Sequence, residues 1–410
     1  MPARATSVRS FAVRPRGLSS KLSALLTATC LLAACGGSGD SNDSVPVNSL
    51  PAVSTTRADG TAQTPRGDVD AFVQQQLTAL SIPGATLVVM HDGQIVYAKG
   101  YGYADVAARA PARPEQRVDI GSITKQFVAA AVLLLNEEGR IDLDEKISTY
   151  LGPDGPAHWG EITVRQVLSH TAGLAGLPDD DFFKHVDDAG ATTEASMLAK
   201  FRTYPLSFTP GSSWAYSNVG YDLLGFIVSR ITGQFYGDYI QQRIFTPLGM
   251  GTARFIHASN TWADTLLPYD IDNSKGWTFF ELSDGVREYL STGASGIQLS
   301  ALDMAKWDAA LANGSLLSPA SQALMWTPAG HLPAPGYDLG MDYGFGWFLA
   351  DLSNGHRVVS HSGGMPGFTT EFIRYLDSGW SVAVFTNIDE RFGDPLTIAT
   401  GVARLFSDDL

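Results

Sequence analysis

The segment Asp119-Ile-Gly-Ser-Ile-Thr-Lys125 runs into an uncharged apolar stretch, Gln126 to Leu135. That stretch reads as a buried helix, with Gly121-Ser122 as its cap and start signal. On a helix Ser122 and Lys125, three apart, point the same way, with Cβ atoms about 5–6 Å apart. A serine hydroxyl is a poor nucleophile until a neighbour accepts its proton, and an amine whose pKa is lowered by an apolar setting can do so. The helix N-terminus adds backbone N–H groups for a developing oxyanion. A chain this long holds about one Ser-x-x-Lys by chance, and the ordinary reading is a capping serine beside a surface lysine. The next charges after Lys125 are Glu137 and Glu138, so this lysine opens a buried stretch, where a charge needs a reason.

Two further segments carry polar groups at places where catalytic side chains project. In Phe208-Thr-Pro-Gly-Ser-Ser-Trp-Ala-Tyr216-Ser-Asn218, a Pro-Gly turn precedes and an amphipathic helix follows, which puts Tyr216 and Asn218 on a loop or helix start. Tyr can relay a proton and Asn can hold a substrate amide; a core Tyr and an N-capping Asn are the ordinary alternative. In Val358-Val-Ser-His361-Ser362-Gly363-Gly364, an apolar strand runs into a glycine pair that would let a ligand backbone approach, with His361 as an electrostatic or proton-transfer group. His170 reads as structural. Ser169, Ser217 and Ser362 lack the helix-start setting of Ser122.

These segments need a scaffold. Val69, Phe72, Val73, Leu77 and Leu80 share one face of an opening helix. Ala85 to Met90 and Ile95 to Lys99 form a hairpin across Asp92-Gly93. The middle, about 122–310, is helical by period. Strand signals return at Tyr343 to Leu349, His356 to His361, Phe368 to Tyr375 and Trp380 to Thr386, and a helix near Pro395 to Phe406 closes the chain. The expected architecture is a mixed α/β (α+β) fold: one antiparallel sheet built from both chain ends, flanked by helices, with a helical insertion.

The chain has 410 residues, with 42 acidic against 28 basic residues and a net charge of -14, which argues against nucleic acid as a partner. Residues 1–35 hold five basic residues and no acid, then an apolar run from Leu22 to Ala34 that is too short to span a bilayer. Leu32-Ala33-Ala34-Cys35 resembles the lipobox of bacterial lipoproteins, with Cys35 lipidated as the mature N-terminus. Loss of the leader removes Cys30 and leaves no thiol in the folded part, which excludes disulfides and thiol nucleophiles. Residues 36–66 read as a flexible tether and 67–410 as the folded domain. Gly-x-Ser-x-Gly, His-Glu-x-x-His and Walker-type loops are absent from the sequence. Asp270-x-Asp272-x-Ser274 echoes a calcium loop but has Lys275 where glycine is needed.

Taken in order, the three segments resemble the serine β-lactamase and penicillin-binding-protein superfamily, in the branch of class C β-lactamases, D-Ala-D-Ala carboxypeptidases, D-aminopeptidases and related esterases. Ser122-x-x-Lys125 is similar to its first motif, Tyr216-x-Asn218 to its second and His361-Ser362-Gly363 to its third. Val167 to Leu174, Ile244 to Met250 and Gly293 to Met304 also resemble family stretches. The resemblance implies a β-lactamase/transpeptidase-like fold over about 67–410. It also implies an acyl-enzyme mechanism with Ser122 as nucleophile, Lys125 and Tyr216 as base, and the N–H groups of Ser122 and Gly364 as oxyanion hole. Asn218, His361, Ser362 and Gly363 would contact a small-molecule or peptide substrate, such as a peptidoglycan-derived peptide or a β-lactam. No metal or organic cofactor is implied. His361 stands where class C β-lactamases carry Lys for the substrate carboxylate, which favours a D-specific peptidase, carboxypeptidase or esterase over a lactamase or a penicillin-acylated sensor. A charged His361 would strengthen carboxylate binding below its pKa. The walls of the pocket are expected from Phe182, Phe183, Trp262, Trp277 and Phe279. The lipid would hold the enzyme at the periplasmic side of the envelope, Gly36 after Cys35 favouring the outer membrane.

Overall fold

A computed structural model describes residues 65, 67–152, 155–175, 193–256, 262–272, 274–280, 292–329, 341–408 and 410. The leader, Cys35, nearly all of the tether, Phe182 and Phe183 lie outside them.

Both chain ends build the main sheet, as expected. Helix α1 (Val69–Ala79) is capped by Asp68, whose carboxylate accepts the Ala71 N–H at 2.9 Å. Strands β1 (Gly84–His91) and β2 (Gln94–Asp105) form the hairpin, with Asp92 and Gly93 both at positive φ in its turn. From the C-terminal part come β9 (Asp342–Tyr343), β10 (Phe348–Asp351), β11 (Arg357–Met365), β12 (Phe368–Tyr375) and β13 (Trp380–Thr386). With β3 (Ala110–Pro111) they form eight antiparallel strands in the order β3-β2-β1-β13-β12-β11-β10-β9. The stretch expected as one strand, Tyr343 to Leu349, is split into β9 and β10 by the turn through Gly344-Phe-Gly346, and the two halves pair with each other. Strand β11 continues past His361 through Ser362, Gly363 and Gly364 rather than stopping there.

The sheet is buried on both faces, which is why its strands are nearly continuous apolar runs. Val88, Met90, Phe372 and Phe385 pack into the larger core, around α2 (Thr124–Glu137). Leu87, Val89, Val382 and Val384 pack against α1 and the last helix, Pro395–Phe406. Every residue of α2 from Thr124 to Leu135 is buried, as suits a helix without a polar face.

The middle of the chain is helical but not wholly so. It contributes α3 (Ile147–Leu151), α4 (Val164–Leu168), α5 (Glu194–Phe201), α6 (Asn218–Thr232) and α7 (Tyr236–Ile240). A small sheet joins β4 (Arg117–Asp119), β8 (Ile297–Ser300) and β5 (Arg254–Phe255), with β8 in the centre. Asp270 and Asp272 sit on β6 (Tyr269–Asp272), paired with β7 (Gly276–Phe279), and Asp272 Oδ1 accepts the Ser274 N–H at 2.8 Å as an ordinary turn. Next come α8 (Ala301–Asn313) and α9 (Pro319–Met325), and the terminal helix is α10. Among the described residues, no helix is long and apolar enough to cross a membrane.

Candidate active site

Ser122 sits on a short 3-10 turn, Gly121–Ile123, that leads into α2. The expected capping role is not what the structure shows: no side chain caps α2, and the Ser122 hydroxyl is engaged by Lys125 instead. The turn is docked on β11 by absent side chains. Gly121 has φ 52°, and a Cβ there would lie 2.9 Å from the Gly364 nitrogen. A Cβ on Gly363 would collide with the Ile120 carbonyl. Thr370 of β12 completes the joint, its hydroxyl reaching the Ile120 carbonyl at 3.0 Å and the Gly363 carbonyl at 3.3 Å.

Lys125, the second residue of α2 and three residues after Ser122, is wholly buried. Its Nζ donates to Ser122 Oγ at 3.0 Å, Asn218 Oδ1 at 2.8 Å and the Ala294 carbonyl at 2.8 Å, which uses all three ammonium protons. Burial pushes its pKa down to about 7, against a smaller upward pull from Asp222. Asn218 is therefore not the helix cap. That place belongs to Ser217, whose hydroxyl accepts the Gly220 N–H at 3.2 Å, so Ser217 does stand at a helix start, with its hydroxyl committed.

Asp222 was missed by motif reasoning. It lies one turn after Asn218 on α6, and its Oδ1 accepts the N–H of Ala294, whose carbonyl holds Lys125. Burial raises its pKa, opposed by bonds from Thr292 and by Lys125. A signal was available: Asp222 is the one charged residue between Arg202 and Arg230. An acid alone on an apolar helix needs a partner.

Tyr216 meets Lys125 through its ring, whose centroid is 4.8 Å from Nζ. The ring is stacked parallel to Phe348 at 6.4 Å and lies 4.4 Å from His170. His170 is buried, with φ 60°, and its Nδ1 accepts the Ser217 N–H at 3.2 Å. Burial, and then the nearby Lys125, push its pKa well down, so it serves as a neutral wall behind Tyr216.

His361 departs from its expected role. It is 1% exposed, and its Nδ1 faces the Ser362 carbonyl at 2.7 Å while Nε2 meets the Tyr343 hydroxyl at 3.0 Å. A carbonyl only accepts, so Nδ1 carries the proton and Nε2 accepts from Tyr343. Burial, then Lys125, push its pKa down to about 3. His361 is thus neutral across the range where it was expected to gain a charge for a substrate carboxylate. Ser362 is exposed on the opposite face of the strand.

The expected pocket walls are only partly there. Trp262 lies 6.4 Å from Phe368, but Trp277 ties its hairpin to the loop after α1, with Nε1 donating to the Ser81 carbonyl at 2.6 Å. Phe279 is exposed on the same hairpin.

Comparison with known proteins agrees with this geometry. The family model described as Beta-lactamase matches residues 69–404. Penicillin-binding protein 4* of Bacillus subtilis is 30% identical over 323 residues, covering 74% of this chain and 68% of that protein. The octameric penicillin-binding protein homologue of Pyrococcus abyssi superposes with a TM-score of 0.72 at 28% identity, covering 82% of this chain and 76% of the other. A D-stereospecific amidohydrolase from Streptomyces sp. superposes with a TM-score of 0.68 at 27% identity, covering 83% and 99%. On these grounds the chain belongs to the Beta-lactamase family and is a serine hydrolase of the β-lactamase and penicillin-binding-protein superfamily.

Proposed function

We propose that this enzyme hydrolyses small D-configured amides, peptides or esters through an acyl-enzyme on Ser122. The observation that carries this reading is the wholly buried Lys125 amine 3.0 Å from Ser122 Oγ. Ser122 Oγ attacks the substrate carbonyl while its proton passes to neutral Lys125. The N–H groups of Ser122 and Gly364 hold the oxyanion. The bond to the leaving group then breaks as that group takes the proton, relayed from Lys125 by Tyr216. Water attacks the acyl-enzyme, gives one proton back through the same pair, and Ser122 is restored with release of the carboxylic acid. Asn218 keeps Lys125 aimed at Ser122 through its 2.8 Å bond. The D-configuration is supported by the likeness to the Streptomyces D-stereospecific amidohydrolase.

Release of p-nitroaniline from D- and L-alanine p-nitroanilide tests this reading. The D-substrate is expected to be cleaved faster, and Ser122→Ala to be at least about 10³-fold slower than wild type. Equal rates in the two proteins contradict it. A penicillin that acylates the protein without turnover would favour the sensor alternative, and rapid penicillin turnover the lactamase.

Tyr216 has two roles that one substitution separates. Tyr216→Phe keeps a ring beside Lys125 but removes the hydroxyl, so kcat is expected to fall about 10²-fold if the hydroxyl relays the proton. A kcat within about twofold of wild type would leave only the ring contact.

We further propose that the enzyme is anchored to the envelope through a lipid on Cys35, on the lipobox pattern of residues 32–35. Cys35→Ala is expected to move the protein from the membrane to the soluble fraction; unchanged fractionation would refute the anchor.

A further inference from the structure

The chain that leads into Tyr216 is held along its length by the segment that follows α4. The Ser207 N–H donates to the Gly173 carbonyl at 2.8 Å, and the Gly211 N–H to the Thr171 carbonyl at 2.8 Å. At Tyr216 a single residue, His170, makes two such contacts. Its carbonyl accepts the Ala215 N–H at 3.1 Å, and its ring Nδ1 accepts the Ser217 N–H at 3.2 Å. The residues immediately before and after Tyr216 are thus tied to one histidine, whose ring also lies 4.4 Å from the Tyr216 ring.

Two unfavourable features accompany this grip. His170 has φ 60°, in the left-handed region that a side chain makes costly. Because Nδ1 accepts from Ser217, the ring proton sits on Nε2, a buried donor without a hydrogen-bond partner among the described residues. Such features persist only where the surroundings impose them. Here the His170 N–H is tied to the Val167 carbonyl of α4 at 3.3 Å, and the ring lies 4.6 Å from that of Tyr343 and 5.2 Å from that of Tyr221. An apolar side chain would fill this space without burying an unpaired donor, so packing alone does not account for a histidine. The one hydrogen bond its ring makes among the described residues is the one from Ser217. Asn218, the next residue, has holds of its own: it opens α6 and is bonded to Lys125.

We propose that His170 is a positioning residue for the reaction, gripping the chain on both sides of Tyr216 and so holding the Tyr216 side chain against Lys125. This rests on the reading of Tyr216 as the proton relay. His170 itself transfers no proton: it acts through the lone pair of Nδ1, which fixes the peptide between Tyr216 and Ser217, and through its carbonyl, which fixes the approach to Tyr216. Loss of the ring acceptor frees one of these two ties, and the Tyr216 ring, 4.8 Å from Lys125 Nζ, loses its register on the amine.

Hydrolysis of D-alanine p-nitroanilide by H170N and H170L, each made in the wild-type and in the Tyr216→Phe background, tests it. Asparagine places an amide oxygen close to the position of Nδ1 and tolerates positive φ, so H170N is expected to keep kcat within about threefold of wild type. Leucine offers no acceptor, so H170L is expected to lower kcat about 10²-fold, the loss that a displacement of about 1 Å brings, with KM within about twofold. In the Tyr216→Phe background, where no hydroxyl is left to place, H170L is expected to cost less than about threefold more. If H170L does not fold, H170Q, whose amide oxygen lies one bond farther from the backbone, takes its place with the same expectation. Wild-type kcat in H170L, an H170N as slow as H170L, or an equal loss from H170L in both backgrounds overturns the positioning role. If Tyr216→Phe itself keeps the wild-type kcat, the relay reading fails and the positioning role with it. If Tyr216→Phe is slow but the His170 variants do not follow this pattern, only the positioning role fails.

Discussion

Replacing Lys125 with methionine is expected to slow acylation of Ser122 by about 10³-fold, at the upper part of the range for loss of a general base. Methionine fills much of the same buried volume, so the loss reflects the amine rather than a cavity. Its pH dependence identifies the group. Lys125 accepts a proton only when neutral, and its pKa is held down to about 7 by burial. Wild-type kcat/KM is therefore expected to rise with pH through about 7 and then level, because below that value the ammonium has no lone pair to offer. The residual activity of Lys125→Met is expected to lack this limb. Asp222→Asn removes the upward pull on Lys125, so the limb should move to lower pH. A wild-type profile flat from pH 5 to 9, or a limb that survives in Lys125→Met, would show that another group is the base.

Gly363→Ala is expected to be the most damaging small substitution in β11. Its methyl group would drive into the Ile120 carbonyl and crowd the Thr370 hydroxyl, both part of the joint that seats the Ser122 turn on the sheet. Backbone has no rotamer through which to yield, so the strand and the turn must separate. A destabilisation of about 1–3 kcal/mol is expected from overpacking of this kind. Activity should fall by more than stability accounts for, about 10²-fold, since a displacement of about 1 Å of a catalytic group is enough for that. Thermal denaturation and kcat/KM measured on the same preparation check both effects. Wild-type values for each would mean that the contact between Gly363 and Ile120 does not seat Ser122.

The parts of this site that are close in sequence were legible, and those that come together only through the sheet were not. Ser122 and Lys125 are three residues apart on a helix, so their meeting follows from helical geometry alone. Tyr216 and Asn218 were also legible, because a Pro-Gly turn before an amphipathic helix marks a position from which side chains project. The burial of His361 was not, since it depends on Tyr343 from β9, a strand only two residues long. Long apolar strands such as β12 and β13 were read with their ends in place, while β4, β5 and β8, two to four residues each, are too short to show a period and vanish into the helical middle.

Acid-quenched intact-mass spectrometry with peptide mapping, on the full chain mixed with an N-acetyl-D-alanine phenyl ester, measures the acyl-enzyme itself. The expected result is one acyl adduct, mapped to the peptide carrying Ser122, which forms faster than it decays and is absent from Ser122→Ala. An adduct on another residue, or undiminished ester turnover by Ser122→Ala, would contradict Ser122 as the nucleophile.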